Sequence, residues 1–165
     1  VDVAGPRLHE LYKGVAQRAD VRLAGIPEGF FPTVARSLGP ERFATIAATR
    51  GDELLGFVTV VRDGEIAVGY YLGVDYEANA DLPIYHRLLF AVIEQAIEWK
   101  CRRVSFGRTA LDAKARLGCT PEPTFVWIRH RVPVLNLAVK QLLRAVPHAK
   151  PPERNPFKNQ PEAAK

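Results

Sequence analysis

The sequence predicts a mixed α/β (α+β) fold in which antiparallel strands precede a parallel strand–helix–strand unit and helices cover both faces of the sheet. Three segments with strand-like patterns, joined by tight turns, occupy residues 42–74. A long amphipathic helix beginning near Tyr85 follows, and the apolar segment after it is too short for another helix. A strand in that segment would run parallel to the strand that enters the helix. Open sheets of this kind bind ligands at the carboxyl ends of their strands.

The composition is that of an ordinary globular domain. The chain has 165 residues, of which 47% are apolar and 25% are charged, which is enough for one sizeable core. No signal peptide is visible and no apolar run approaches the roughly 20 residues of a membrane-spanning helix, so we expect a cytoplasmic protein without an integral membrane segment. Cys101 and Cys119 lack the spacing of metal ligands, and we expect no metal. The chain has no methionine and begins at Val1, from which we expect it to be the C-terminal part of a longer protein.

Charge is distributed unevenly along the chain. Residues 1–82 carry 8 Lys/Arg against 12 Asp/Glu, whereas residues 83–165 carry 15 against 6. A basic half suits an anionic partner such as a nucleotide cofactor, tRNA or a lipid surface. Because the positive charges are dispersed, simple solvation explains them equally well, and both interpretations stay open.

Two helices are predicted before the sheet. The first spans residues 6–21, with a proline in its first turn and a buried face that holds Leu8, Leu11 and Val15. The second is short, over residues 32–38, and Gly39 is a natural C-terminal stop. The aromatic pair Phe30 and Phe31 is expected to anchor this helix in the core.

Three antiparallel strands are predicted over residues 42–50, 54–62 and 65–74. The pair Asp63-Gly64 between the second and third strands is a strong signal for a tight hairpin. Glycines interrupt these strands at positions 56, 69 and 73, and such glycines often mark a bulge or a close approach of two backbones. A loop over residues 75–81 then leads to the long helix.

The long helix carries one broad apolar stripe, which we expect to pack on the sheet. Its members recur at helical spacing and are Ile84, Leu88, Leu89, Val92, Ile93, Ala96 and Ile97. A buried strand over residues 102–107 is expected next. A further helix follows it and contains Lys114, four residues before Gly118.

The remaining residues are predicted to form a strand over 124–131 and a helix over 134–146. The helix is apolar around most of its circumference, and two interpretations stay open: a basic helix on a membrane surface, or a helix packed against the sheet or a further domain. Five of the 13 prolines lie from Pro147 onward. We therefore predict a single domain over residues 1–146 and a proline-rich tail over 147–165.

Four groups of residues, in this order and spacing, carry a family resemblance. They are Leu54-Leu55-Gly56-Phe57 in the second strand, Tyr70-Tyr71-Leu72-Gly73 in the third, the helix from Tyr85, and Phe106-Gly107 followed by Lys114 and Leu117-Gly118. Together they resemble the GNAT acyltransferase core. The closer resemblance is to the GNAT-like domain of Fem-type peptidoglycan aminoacyltransferases and related bacterial proteins, in which such a domain is the second of two. The resemblance covers residues 6–131.

The resemblance implies an acyl donor bound where the third strand parts from the parallel strand. In GNAT enzymes the donor is acyl-CoA, whose pyrophosphate is held by amides at the start of the next helix; in Fem-type enzymes it is aminoacyl-tRNA. The implied acceptor is an amine, either a small molecule or a cell-wall or lipid-linked intermediate. This chain has no glycine between Val74 and Tyr85 and offers Asp75, Glu77 and Asp81 instead. Three carboxylates there would cap the helix and repel a pyrophosphate.

Acyl transfer to an amine needs a base, or water, to take the amine proton and donors to stabilise the oxyanion. Asp75, just past a strand end, is the candidate catalytic base, with helix capping as the alternative. Lys114, which the resemblance assigns to the substrate channel, is the second candidate catalytic residue and would pair with a phosphate or the oxyanion; a solvated helix lysine is the alternative. The candidate substrate-binding residues around the same opening are Tyr71, Tyr76, Tyr85, Arg108 and Thr109.

These observations predict the acyltransferase-type domain of a larger cytoplasmic bacterial enzyme, which transfers an acyl or aminoacyl group to an amine. The alternative is a non-catalytic lobe that binds a substrate or partner within a two-domain protein, and the acidic loop over residues 75–81 favours it. A nucleic-acid-binding module rests only on the basic half of the chain. A tRNA donor would merge that third interpretation with the first.

Overall fold

A four-stranded mixed sheet forms the centre of the first of two units, Val1–Gly107 and Arg108–Lys165, into which the chain divides. The computed structural model describes residues 5–18, 25–107, 110–125, 127–145 and 156. The elements of the first unit are α1 (Gly5–Arg18), α2 (Phe30–Leu38), β1 (Phe43–Arg50), β2 (Glu53–Asp63), β3 (Ile66–Val74), α3 (Tyr76–Asp81), α4 (Ile84–Glu98) and β4 (Arg103–Ser105). The second unit contains α5 (Leu111–Ala115) and α6 (Pro133–Ala145).

The strands follow one another across the sheet in the order β1-β2-β3-β4. The pairs β1/β2 and β2/β3 are antiparallel, and β3/β4 is parallel. Gly51 and Gly64 supply the turns with backbone φ angles of +57° and +58°, which residues with a side chain rarely adopt. The predicted hairpin at Asp63-Gly64 and the predicted mixed sheet are both confirmed.

Two apolar clusters cover opposite faces of the sheet. On one face, α4 buries Ile84, Leu88, Val92 and Ala96 against Val58, Val60, Ala67 and Val74. On the other face, α1 and α2 contribute Leu8, Leu11 and Phe31, which pack on Leu54 and Phe57. Neighbouring side chains of a strand point to opposite faces, which explains why Phe57 and Val58 belong to different clusters. A bulge at Leu55, which faces no residue of β1, shifts this alternation by one position and places Leu54 on the face of Phe57.

Two glycines allow the helices to approach the sheet closely. A Cβ atom on Gly56 would lie 2.9 Å from a methyl carbon of Ile84, on the face that α4 covers. A Cβ atom on Gly73 would lie 2.5 Å from the ring of Phe57 and 2.8 Å from the backbone carbon of Leu11 in α1. A side chain at Gly73 would therefore push α1 away from β3.

The structure differs from the sequence-based expectation at four places. The strand expected to be buried over residues 102–107 is the short β4, in which Arg103 and Ser105 are exposed and Val104 is half-buried. Residues 76–81 form the short helix α3 and not a loop, because Asp75 caps their first amides. Ile97, predicted to belong to the buried stripe of α4, is 71% exposed. The predicted strand over residues 124–131 is wrong for the residues that are described there, 124–125 and 127–131, which pair with no other strand. A strand needs a partner for its backbone groups, and sequence alternation alone does not supply one.

Several other predictions fall outside the described residues. These are the end of the first predicted helix at residues 19–21, the candidate site residues Arg108 and Thr109, Val126 in the predicted strand, the end of the last predicted helix at residue 146, and the tail over residues 147–165 apart from Pro156.

Candidate functional site

The strands β3 and β4 pair over only three residues and then part. The parallel ladder joins Ile66–Val68 to Arg103–Ser105, whereas β3 continues to Val74. No strand of the described chain pairs with residues 69–74 on the side facing away from β2. We call this stretch of backbone the open edge of β3. Unpaired amide and carbonyl groups on a sheet edge bind extended ligands as an added strand would.

A bulge distorts β3 within its open edge. Val58 pairs with Leu72 and Val60 with Gly69, so that two residues of β3, Tyr70 and Tyr71, face Thr59 alone. The buried Thr59 hydroxyl accepts the backbone N–H of Tyr71 at 2.9 Å and lies 3.3 Å from its carbonyl oxygen, within hydrogen-bonding distance of both. A bulge bends the strand and increases its twist. This bend turns β3 just beyond the point where it leaves β4.

The ring of Tyr71, a predicted substrate-binding residue, lies in an aromatic cluster beneath the bulge. Its centroid is 5.5 Å from those of Tyr12 and Phe30, 5.8 Å from that of Phe31 and 4.4 Å from that of Tyr70, with the rings edge to face. Burial raises the pKa of the Tyr71 hydroxyl to about 12, with a smaller contribution from the neighbouring Tyr70. Tyr71 is therefore protonated near neutral pH and its ring contributes packing; Tyr70 is the more exposed of the pair.

Asp75, the candidate base, follows the last residue of β3 and uses both carboxylate oxygens. Oδ1 accepts the backbone N–H groups of Glu77 and Ala78 at 3.1 and 3.2 Å and so caps α3. Oδ2 accepts a hydrogen bond from the guanidinium of Arg7 in α1, also at 3.2 Å. The hydrogen bond from the amide of Ala78 is the largest cause that lowers the pKa of Asp75 below its ordinary value. Burial opposes it, and the hydrogen bonds from Arg7 and from the amide of Glu77 lower the pKa further. These contacts favour the capping role, and the predicted role as base stays a prediction.

The first amides of α4 are already occupied by neighbouring acceptors. The N–H of Tyr85 donates to Oδ1 of Asn79 in α3 at 2.9 Å, and the N–H of Ile84 donates to the carbonyl of Leu82 at 2.7 Å. The predicted capping of this helix thus comes from an asparagine, whereas the carboxylate of Asp75 caps α3. Amides engaged in this way do not form the anion site that a helix N-terminus otherwise offers.

Tyr76 and Tyr85, two further candidate binding residues, lie near one another at the junction of α3 and α4. Burial raises the pKa of Tyr85, with a smaller electrostatic contribution from Tyr76. The guanidinium of Arg18, at the end of α1, stacks 3.6 Å above the centroid of the Tyr76 ring. This cation–π contact fixes α1 against the start of α3. No sequence pattern points to Arg7, Arg18 or Asn79, because each acts through a contact between two different elements.

Lys114, the second candidate catalytic residue, belongs to α5 in the second unit and is buried, with 6% of its surface exposed. Burial lowers the pKa of its ammonium group below the ordinary value, partly offset by the nearby Cys119, whose own pKa burial raises. The backbone N–H of Cys119 donates to the carbonyl of Lys114 at 3.2 Å, which holds the two residues together. A buried lysine with a lowered pKa is a frequent feature of functional sites, and the alternative of a solvated lysine is excluded by its burial.

The described residues show neither a metal cluster nor a membrane span. Within them, no group of three or more His, Cys, Asp or Glu side chains is arranged to hold a metal ion. Among the helices of the same residues, none combines the length and the apolar character that crossing a bilayer requires.

Comparison with known proteins gives one family and two structural relatives. The family model of the acetyltransferase (GNAT) domain matches residues 3–115. An aminoglycoside acetyltransferase from an uncultured soil metagenomic sample, solved in complex with sisomicin, is 18% identical, with a TM-score of 0.54 over 78% of this chain and 90% of its own. An acetyltransferase of Trypanosoma brucei is 15% identical, with a TM-score of 0.51 over 78% of this chain and 96% of its own. The two structures support the fold, and no curated protein matches the sequence.

Proposed function

The chain belongs to the acetyltransferase (GNAT) domain family, and we propose that it is an N-acyltransferase whose acyl donor lies along the open edge of β3. The observation that carries this proposal is the parting of β3 from β4 after Val68. The separation of the two strands leaves residues 69–74 of β3 without a neighbouring strand on that side. An extended acyl-bearing part of the donor can hydrogen-bond to this backbone as an added strand would. Backbone N–H groups on this edge are suitable donors for the carbonyl oxygen on which negative charge develops during acyl transfer.

The amine acceptor loses a proton when it attacks the acyl carbon, and two residues are proposed for the surrounding chemistry. Lys114 is the proposed partner of a donor phosphate or of the oxyanion, supported by its burial and lowered pKa. Asp75 is the weaker proposal for the base, because its carboxylate is engaged by Arg7 and by the amides of α3. Water is an equally suitable proton acceptor for an amine that is neutral at the working pH.

The proposal also concerns which acyl donor the chain uses, aminoacyl-tRNA or acyl-CoA. The occupied amides of α4 and the absence of glycine between Val74 and Tyr85 argue against a pyrophosphate held at the start of that helix. They support the Fem-type subgroup, in which the donor is aminoacyl-tRNA and the acceptor a cell-wall or lipid-linked amine. The basic second half of the chain suits the tRNA, and the proposal includes an N-terminal partner domain and a cytoplasmic, bacterial setting. Acyl-CoA, with its pyrophosphate held elsewhere, is the other donor to be tested.

A non-catalytic binding lobe is the second candidate function. The contacts of the same region favour this function. The carboxylate of Asp75 binds Arg7, and the amide of Tyr85 binds Asn79, so neither group is available for catalysis on α3 or at the start of α4. Such a lobe would bind a donor or acceptor on the open edge of β3 without catalysing acyl transfer.

The test is an acyl-transfer assay with both donors. The purified chain is incubated with acetyl-CoA or with aminoacyl-tRNA and a panel of amines, and acylated amines are identified by mass spectrometry. The proposal predicts a product that requires the chain, one donor and an amine, and that disappears with Lys114→Met. Binding of a donor without any product would favour the non-catalytic lobe, whereas failure of both donors to bind would contradict both functions.

A further inference from the structure

The second unit presents a surface on which large apolar side chains are exposed. It comprises Phe125, Trp127 and Ile128 in the segment before α6 together with Leu135, Leu142 and Leu143 of that helix, and we call it the α6 surface. Trp127 is 96% exposed and Leu142 is 69% exposed. Large apolar side chains exposed within one stretch of a folded chain indicate a binding surface. The family model ends at residue 115, so this surface lies outside the part of the chain that the family accounts for.

Helical spacing places two of the exposed leucines on one side of α6, whereas Leu137, which is 74% exposed, lies on another side. Leu135, Ala138 and Leu142 follow one another at intervals of three and four residues, and all three are exposed. In the sequence the polar residues 136, 140 and 144 recur every four positions, which is the spacing of a separate polar stripe. An amphipathic helix in a globular protein normally buries its apolar side, whereas this one presents it.

Two hydrogen bonds join the preceding segment to the helix. The side chain of Asn136 accepts the backbone N–H of His130 at 2.7 Å and donates to its carbonyl at 3.3 Å. The N–H of Val132 donates to Nδ1 of His130 at 3.0 Å, which closes the turn before the helix. The chain that carries Trp127 therefore enters α6 through a fixed turn.

The sequence of this segment carries charge of a single sign, and Arg129 and Arg131 are exposed. Between Glu122 and Glu153 the sequence contains five Lys/Arg residues and no Asp or Glu. A second copy of the chain on this surface would bring like charges together, because the two sides of a symmetric interface are the same patch. An anionic lipid surface, in contrast, complements both the positive charge and the apolar side chains.

We propose that the α6 surface binds the surface of a membrane that contains anionic lipids, with α6 lying in the plane of the interface. Trp127 and Phe125 then enter the headgroup region, which aromatic side chains favour, and the leucines of α6 reach the boundary of the acyl chains. The exposed side chains of Arg129 and Arg131 pair with lipid phosphates. This attachment is peripheral and is independent of the proposed transferase activity.

The experiment measures binding of the full chain to lipid vesicles by sedimentation and by tryptophan fluorescence. Vesicles of phosphatidylcholine with about 30% phosphatidylglycerol are compared with vesicles of phosphatidylcholine alone. The chain has two tryptophans, so Trp99→Phe leaves Trp127 as the sole reporter. Leu142→Glu places a negative charge within the surface, and Ile97→Glu is its matched control, because Ile97 is equally exposed (71%) but lies on α4.

We expect binding to the anionic vesicles to exceed binding to the neutral ones by about tenfold or more, with a blue shift of the Trp127 emission. Leu142→Glu should weaken binding by about tenfold, because it removes a large apolar side chain and adds repulsion, whereas Ile97→Glu should leave it unchanged. Four outcomes would overturn the proposal. Two concern the vesicles: no binding to anionic vesicles at low salt, and equal binding of the two variants. The other two concern the free chain: a dimer that only Leu142→Glu dissociates, and a melting temperature that only Leu142→Glu lowers by several degrees.

Discussion

The hydroxyl of Thr59 accepts the backbone N–H of Tyr71 at 2.9 Å, across a bulge where two residues of β3 face one residue of β2. Thr59 is fully buried, and its hydroxyl supplies a partner for an amide that the ladder leaves unpaired. The bulge lies where β3 has left β4 and the open edge begins. A single side chain of β2 thus stabilises the bend on which the proposed donor site depends.

Thr59→Val should destabilise the protein by about 1–2 kcal/mol, because it keeps the shape of the side chain but removes the partner of the Tyr71 amide. Thr59→Ser keeps the hydroxyl and is the matched control for the hydrogen bond. The free energy of unfolding is measured by urea denaturation. A Thr59→Val variant as stable as Thr59→Ser would show that the bulge does not need this bond.

Gly73→Ala should destabilise the protein by about 3 kcal/mol, because the added Cβ would overlap both the Phe57 ring and the backbone of α1. Gly69→Ala on the same strand is the control. Its Cβ would meet Val92 and Phe106 at 3.5–3.6 Å, an ordinary contact, and should be neutral or stabilise by about 0.5 kcal/mol. Thermal unfolding of both variants measures the difference. Equal effects would contradict the close approach of α1 to β3.

Asp75→Asn should reduce the loss of stability in acid. The folded protein holds the pKa of Asp75 below the ordinary value of 3.8, so its carboxylate contributes stability above that value, and the contribution is lost as the pH falls through the folded pKa. Asparagine still caps α3 but removes the charge that pairs with Arg7. Urea denaturation between neutral pH and acid should show the wild type more stable than the variant at neutral pH and the two converging in acid.

The same variant tests the predicted base. Because both oxygens of Asp75 are engaged, we expect the dependence of kcat/KM on pH to be unchanged in Asp75→Asn, for whichever donor and acceptor support turnover. Loss of activity without loss of structure, measured by circular dichroism, would instead assign the base to this residue.

Lys114→Met should remove a rise of stability at alkaline pH. Burial lowers the folded pKa of this lysine below its ordinary value of 10.5, so the folded state releases the proton first. The wild type should therefore gain stability as the pH rises from the folded pKa to about 10.5, and Lys114→Met should gain less. We also expect the variant to lose transferase activity without a decrease of the melting temperature, because methionine removes a buried charge. A lower melting temperature with retained activity would give Lys114 a structural role only.

Much of the first unit could be predicted from the sequence, because local patterns determine it. The strand-like segments between turn residues, the glycines of the two hairpins and the apolar stripe of α4 predicted the strands, their turns and the helix on the sheet. The stripe failed only at Ile97, since helical spacing gives the direction of a side chain but not where the surface beneath it ends. α3 had a visible signal in Asp75 followed by Glu77 and Ala78, a helix-capping pattern that we interpreted as a loop.

The contacts of the candidate site could not be predicted in the same way. The pairs Arg7 with Asp75, Arg18 with Tyr76 and Asn79 with Tyr85 each depend on how two elements meet in space. Burial of Lys114 likewise follows from packing, not from its helical position. The alternation over residues 124–131 predicted a strand and was misleading, because no described strand offers a partner.

Amide hydrogen exchange with and without a donor tests the central claim, that the acyl donor lies along the open edge of β3. Exchange is followed by mass spectrometry with acetyl-CoA and with aminoacyl-tRNA in turn. One of the two should slow exchange over residues 69–74, because the donor takes up edge amides, while β1 at the opposite edge of the sheet serves as the internal control and stays unchanged. Unchanged exchange over residues 69–74 at saturating concentrations of both donors would contradict the account.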